Sequence, residues 1–302
     1  MEYRTLGNTD LKVSSIGLGC VTFGREIDEA TSFTVMDHAL ERGITLFDTA
    51  EAYAKGRSEE VVGQWLKARG RRDQIVLATK VTPPLDEERI LAAAEASLRR
   101  LQTDVIDLYQ LHAFDPKTPL EATLAALNKL VEQGKVRYLG CSNFAAWQLC
   151  KALWEADANG WPRLESVQPN YNLAVRDIEA ELLPCCADQE IGVITYSPLG
   201  AGFLTGKYTR SKTAPAGTRF DLLPSHWSIY DNEVAFQRME KLRTKAEQTG
   251  RPMVDLALSW VMGQPGVTSV LIGCRSTAHV DQAFVAEQTG LPLALRAEMS
   301  SW

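Results

Sequence analysis

The sequence predicts an α/β chain closed into a (β/α)8 TIM barrel, and three observations carry that prediction. Eight short apolar runs alternate with longer helix-period segments along the 302 residues. Each run is rich in β-branched residues and nearly continuous in apolar character, as strands covered on both faces are. No G-x-G-x-x-G follows the first run, because Gly17, Gly19 and Gly24 have the wrong spacing for an open dinucleotide-binding sheet. Parallel neighbours require crossover helices, and eight such strand–helix units fit a closed ring.

The chain opens with segments 3–6 and 11–13 flanking Gly7-Asn8-Thr9-Asp10, a hairpin signature placed to plug the bottom of the barrel. The barrel runs follow at 15–18, 45–48, 75–80, 105–112, 136–141, 166–168, 192–196 and 269–272. The first helix opens at Asp28-Glu29-Ala30 and closes at Arg42-Gly43, a basic last turn before a glycine stop. At Ser58-Glu59-Glu60-Val61 the two glutamates complement the positive end of the second helix. Asp86 leads into a helix over Glu87–Leu101, Pro119 into one over Leu120–Glu132, and Asp177 into one over 178–189. Segments 232–248, 254–262 and 276–288 complete the helical set. Residues 197–231, rich in Gly, Pro and Ser, form a long loop after strand seven, and loops of that length carry function or are disordered. No repeat, low-complexity tract or linker divides the chain, so residues 1–302 are expected to form one domain.

Composition narrows the function classes. With 45% hydrophobic and 23% charged residues the chain is neither disordered nor fibrous. Its net charge of −6 repels phosphate backbones, which argues against nucleic acid and anionic membrane as partners. The six cysteines contain no C-x-x-C and no zinc spacing, so free thiols and no metal are expected. Met1-Glu2-Tyr3-Arg4 begins no apolar leader and no apolar run approaches ~18 residues, which points to the cytoplasm. In the absence of an amphipathic seam the expected state is a monomer.

Active sites of such barrels lie at the carboxyl ends of the strands. Strand two ends in Phe47-Asp48, strand three in Thr79-Lys80 and strand four in Leu111-His112. Strand five runs into Ser142-Asn143, strand six ends at Gln168, and strand seven ends in Tyr196-Ser197. An Asp at a strand end is usually a turn former, a Lys a solvated tip, and a lone His structural. Acid, base, histidine and amides on successive strands make a site instead. A Schiff-base role for Lys80 in an aldolase-like barrel is a second enzymatic reading, but it leaves Tyr53 and the Tyr196–Gly202 block unused.

Taken in order, several blocks resemble the aldo-keto reductases across essentially the whole chain. They are Gly43-Ile44-Thr45-Leu46-Phe47-Asp48-Thr49-Ala50, Tyr53, Ser58-Glu59-Glu60-Val61-Val62-Gly63, Ala78-Thr79-Lys80-Val81 and residues 104–112. Leu139-Gly140-Cys141-Ser142-Asn143-Phe144, Gln168-Pro169-Asn170-Tyr171-Asn172, Tyr196-Ser197-Pro198-Leu199-Gly200 and residues 271–276 continue the match.

The resemblance implies reversible reduction of a small-molecule aldehyde or ketone by hydride from NADPH, with a tetrad of Asp48, Tyr53, Lys80 and His112. Tyr53 would be the general acid, its pKa lowered by the Lys80 ammonium that Asp48 keeps charged. His112 would hydrogen-bond the carbonyl oxygen. Ser142, Asn143 and Gln168 would hold the nicotinamide carboxamide and Tyr196 would stack on its ring. Ser197, Pro198, Leu199, Gly200 and Gly202 would line the pyrophosphate path, with Lys207 adding charge and Thr22, Asp48 and Gly273 in contact with the cofactor. Arg275 and Ser276 sit where family members grip the 2′-phosphate, which favours NADP over NAD. His279 and Ala283 replace the family's usual Gln and Asn near the adenine. Phe23, Phe114 and Trp227 are expected to line the substrate pocket, with His226 and Tyr230 nearby. Some relatives regulate membrane channels, so a cofactor-binding sensor with low turnover is the alternative.

Overall fold

The computed structural model describes residues 1–210 and 214–302 of the chain. Strands β1 (Tyr3–Thr5) and β2 (Lys12–Ser14) pair antiparallel, with Tyr3 opposite Ser14. Parallel strands β3 (Ile16–Gly19), β4 (Leu46–Asp48), β5 (Val76–Val81), β6 (Ile106–Leu111), β7 (Val136–Ser142), β8 (Leu164–Gln168), β9 (Gly192–Thr195) and β10 (Val267–Gly273) follow. They close in sequence order, and β10 returns to β3 with Val270 beside Ile16. The first strand of the barrel is therefore β3.

The helices are α1 (Glu29–Glu41), α2 (Arg57–Arg69), α3 (Glu87–Leu101), α4 (Leu120–Glu132), α5 (Ala146–Asn159) and α6 (Leu182–Asp188). After β9 come α7 (Arg219–Leu222), α8 (Trp227–Tyr230), α9 (Glu233–Thr249), α10 (Met253–Met262), α11 (Thr277–Thr289) and α12 (Leu293–Ser300). Asp28, Asp86 and Asn232 each accept a backbone N–H in the first turn of α1, α3 and α9.

Several elements depart from the sequence reading. Helix α5 was not anticipated, because Ala145 before it offers no capping oxygen; Gln148 Oε1 instead accepts the Ala145 N–H at 2.8 Å. Its exposed Trp147 and Trp154 also blur the apolar period. The helix expected over 178–189 splits into a 3-10 turn, Asp177–Glu179, and α6, because Pro184 lacks the N–H needed to continue one helix through. The segment after β9 holds a 3-10 stretch Gly200–Thr205 besides α7 and α8, and residues 211–213 of that expected loop lie outside the described residues. Its rings pack against one another, Tyr208 tilted on Phe220 with centroids 4.3 Å apart and Phe220 edge-on to Trp227 at 5.0 Å.

Leu6, Leu11 and Val13 of the hairpin pack with Leu46, Val76, Ala78, Leu108, Ile194 and Leu271 of the barrel strands. The hairpin thus plugs the amino-terminal end of the barrel. At its turn Gly7 has φ +55°, and a Cβ there would lie 2.2 Å from the Glu165 carbonyl oxygen. Sealing that end leaves the carboxyl ends of the strands as the open face. No helix among the described residues is long and apolar enough to cross a membrane.

Candidate active site

Asp48 ends β4, and parallel pairing aligns it with Ala78 of β5, two residues before Lys80. Lys80 in turn aligns with Gln110 of β6. Both charged side chains are withdrawn from solvent, Lys80 completely and Asp48 to 2% exposure. Burial of this kind demands pairing. The Lys80 ammonium donates to Asp48 Oδ1, to the Thr49 carbonyl at 2.9 Å and to the Tyr53 hydroxyl at 3.4 Å.

Tyr53 begins a short 3-10 turn, Tyr53–Gly56, in which Ala54 and Lys55 take left-handed φ angles of 49° and 56°. Ser58 anchors that turn, donating to the Cys20 carbonyl at 2.7 Å and lying 2.8 Å from the Thr49 hydroxyl. The Tyr53 ring stands edge-on to the His112 ring with centroids 5.7 Å apart. Tetrad residues from four separate segments therefore meet at one place.

Electrostatics of the group differ from the simple expectation. Burial raises the Tyr53 phenol; Lys80 lowers it and Asp48 raises it again, so the group titrates above its ordinary value of 10.0. The expected lowering by Lys80 is present but outweighed. For Lys80, burial acts to lower the pKa, yet Asp48 and Tyr53 more than offset it and the ammonium is held charged. Burial, then the Lys80 charge, lowers His112 to about 4, so its imidazole is neutral at pH 7. Its Nδ1 is buried without a hydrogen-bond partner among the described residues.

Sequence reasoning missed Gln110. Its Nε2 donates to Asp48 Oδ2 at 3.1 Å, and Gln168 Nε2 donates to the same oxygen at 2.9 Å. A polar residue near the carboxyl end of a mostly apolar strand, two positions before His112, was the available signal. Gln168, expected at the carboxamide, has its amide nitrogen engaged by Asp48.

Neighbouring amides and hydroxyls form a second network. Ser142 donates to the Gln168 carbonyl at 2.7 Å, and Asn143 Nδ2 donates to the His112 carbonyl at 3.0 Å. Asn143 Oδ1 accepts from the Tyr196 hydroxyl at 2.8 Å. Asn143 has φ 59°, a conformation Asn tolerates, which turns its amide back toward β6.

Beyond Tyr196 the backbone is left-handed at Ser197, Gly200, Ala201 and Gly202. Gly200 and Gly202 spend their N–H groups on the Ser197 and Leu199 carbonyls, at 2.8 and 3.0 Å. These glycines spend their own N–H groups on the tight turn. A Cβ on Gly202 would lie 2.9 Å from Lys207 Nζ, so the bare glycine also makes room for that lysine. Pro198 and Leu199 lie within the same turn.

Exposed Arg275 immediately precedes Ser276, the residue that flanks the first turn of α11, and that turn holds no acidic residue. His279 Nδ1 accepts the Arg275 N–H at 3.3 Å and lies 3.3 Å from the Ser276 hydroxyl. Burial, then Arg275 and Lys207, lowers His279. Burial, then Arg275, lowers Lys207. Arg275 stands just before the amino terminus of α11 and within electrostatic reach of Lys207, an arrangement that suits a bound phosphate. Thr22 donates to the Cys274 carbonyl at 2.6 Å, and Gly273 faces open space. Ala283 is fully buried.

Of the expected pocket residues, Phe23 is fully buried in the core and offers no exposed surface. Phe114 meets Phe144 and Trp147 edge-on, at 5.4 and 5.8 Å. Trp227 packs against Phe220 and Tyr208, and Tyr230 accepts a hydrogen bond from Asn170 at 3.5 Å.

The model of the aldo/keto reductase family matches residues 15–293. The chain belongs to that family. This aldo/keto reductase is 37% identical to the uncharacterized oxidoreductase YrpG of Bacillus subtilis (strain 168), over 96% of its own length and 92% of that protein's. It is 36% identical to the aldo-keto reductase YhdN of the same organism, covering 97% and 90% of the two chains. It is also 33% identical to a probable voltage-gated potassium channel subunit beta of Arabidopsis thaliana, over 93% and 90%. The aldo/keto reductase is thus an oxidoreductase on a closed parallel barrel.

Proposed function

We propose that this enzyme reduces aldehydes and ketones reversibly with NADPH, and that Tyr53 is its general acid. The observation that carries the reading is the Tyr53 hydroxyl, 3.4 Å from a buried Lys80 ammonium that also binds Asp48, with the His112 ring alongside. NADPH, when bound, supplies the hydride. Tyr53 keeps its proton at neutral pH and delivers it to the carbonyl oxygen. Lys80 stabilises the phenolate that remains, and Asp48 keeps Lys80 charged and in place. An Nδ1 without a partner favours the tautomer with hydrogen on Nε2, since an orphaned N–H costs more than an orphaned lone pair. Neutral His112 then donates from Nε2 to the carbonyl oxygen.

Arg275 and Ser276 at the start of α11, with Lys207 in electrostatic reach of Arg275, favour the 2′-phosphate of NADPH. Ser142, Asn143, Gln168 and Tyr196 are the residues for the nicotinamide end, and Phe114 and Trp227 stand for the substrate. The reading takes the chain as a single barrel domain acting as a cytoplasmic monomer. A second reading, a cofactor-binding sensor with low turnover, draws on the name of the plant relative.

Absorbance of reduced nicotinamide, followed with NADPH and NADH over a panel of aldehydes and ketones, tests the proposal. Faster consumption of NADPH, lost about 10²–10⁴-fold in Tyr53→Phe with cofactor affinity unchanged, supports it. Tight NADPH binding with no turnover on any carbonyl supports the sensor.

A further inference from the structure

We infer that Cys150 and Cys185 form an oxidisable dithiol on the outer wall of the barrel, a modification site that peroxide converts into a disulfide. Each lies about one turn into its helix, Cys150 in α5 and Cys185 in α6. Their sulfurs are 3.3 Å apart, in hydrogen-bond contact, although 35 positions separate them in sequence. Cys150 is exposed and Cys185 partly so, whereas Cys20, Cys141, Cys186 and Cys274 are buried. A small oxidant therefore reaches this pair first. Neither thiol has a place in the proposed reduction.

Exposure assigns the order of events. Burial, then the contact with Cys150, pushes the Cys185 thiol up to about 11, so Cys185 keeps its proton at neutral pH. The exposed Cys150 sulfur attacks as thiolate on a peroxide oxygen; the O–O bond breaks, and hydroxide leaves and takes up a proton as water. Cys150 is now a sulfenic acid. The Cys185 sulfur attacks it, the S–S bond forms, and the S–O bond breaks with loss of a second water carrying the Cys185 proton. Two electrons and two protons pass from the thiols to one peroxide.

The bond would staple α5 to α6, the helices on either side of β8 in the chain, while leaving the carboxyl ends of the strands untouched. Carbonyl reduction should stay within about twofold of the reduced enzyme, and the midpoint of thermal unfolding should rise.

The test treats the native enzyme with hydrogen peroxide, alkylates it and measures mass. The expected result is a loss of about 2 Da and of two alkylatable thiols, both reversed by dithiothreitol. Tryptic peptide 138–151 should be joined to peptide 177–207. Each peptide also carries a buried cysteine, so variants assign the link. Cys150→Ala and Cys185→Ser must abolish it, Cys141→Ala and Cys186→Ala must keep it, and Cys185→Ser should leave a Cys150 sulfenic acid that dimedone captures. Full alkylation after peroxide, stable oxygen addition to Cys150 in the unsubstituted enzyme, or a link through Cys186 would overturn the inference.

Discussion

Gln110 holds the second carboxylate oxygen of Asp48, its Nε2 lying 3.1 Å from Oδ2, while the Lys80 ammonium takes Oδ1. Gln168 adds a second amide to the same oxygen at 2.9 Å. A buried carboxylate facing one ammonium would keep unsatisfied lone pairs and freedom to rotate. The two amides remove both, and Asp48 in turn aims Lys80 at Tyr53.

Replacing Gln110 by Leu removes one hydrogen bond to a charged group, worth about 1.5 kcal/mol. The expected outcome is a fall in kcat of about tenfold with the carbonyl KM within about twofold, because the residue positions Asp48 and does not touch substrate. Steady-state kinetics on Gln110→Leu check this, and an unchanged kcat would refute the positioning role.

Lys80→Met leaves the Asp48 carboxylate buried without its cation. Urea denaturation should show a loss of about 3–5 kcal/mol, together with loss of carbonyl reduction. Adding Asp48→Asn should return most of that stability and none of the activity. A double variant as unstable as Lys80→Met would mean that packing, and not charge, holds this part of the barrel.

Arg275→Ala removes the guanidinium next to α11. The KM for NADPH is expected to rise about 10–100-fold, the equivalent of a charge-assisted contact. NADH kinetics should move less than about threefold. The difference should shrink as salt is added, since the site is exposed and open to screening. Equal effects on both cofactors would remove Arg275 from the 2′-phosphate.

His112 titrates at about 4 in the folded chain against its ordinary 6.5, owing to burial and then the Lys80 charge. Between these values the unfolded chain binds the extra proton, so the contribution is complete above 6.5 and is lost as pH falls toward 4. It amounts to about 3 kcal/mol. Chemical denaturation across that window should show a steep slope in the unsubstituted enzyme and a shallower one in His112→Asn. Identical slopes would show that the imidazole is not held neutral by the fold.

The readability of each element in the sequence follows how local its cause is. Helix α3 carries Asp86 as its cap and α4 has Pro119 before it, and both helices occupy the expected residues. Helix α5 has no such signal at Ala145 and turns two tryptophans to solvent, so its pattern was hidden. Asp48 and Lys80 stood out because they interrupt apolar runs near strand ends, and His112 because it follows one. Gln110 interrupts such a run as well, but its meaning depends on the register that sets it beside Lys80.

Alternating apolar runs and capped helices determined the barrel from the sequence alone, and the ordered blocks determined the family. These are properties of short segments, set by hydrogen-bond period and burial face. Only the tertiary structure decided the direction in which the Tyr53 phenol shifts, the support of Asp48 by Gln110 and Gln168, and the meeting of Cys150 with Cys185. Each of these is a sum over neighbours brought together through space. The Lys80 charge next to Tyr53 is one influence on the phenol, and desolvation outweighs it because the closed barrel excludes water there.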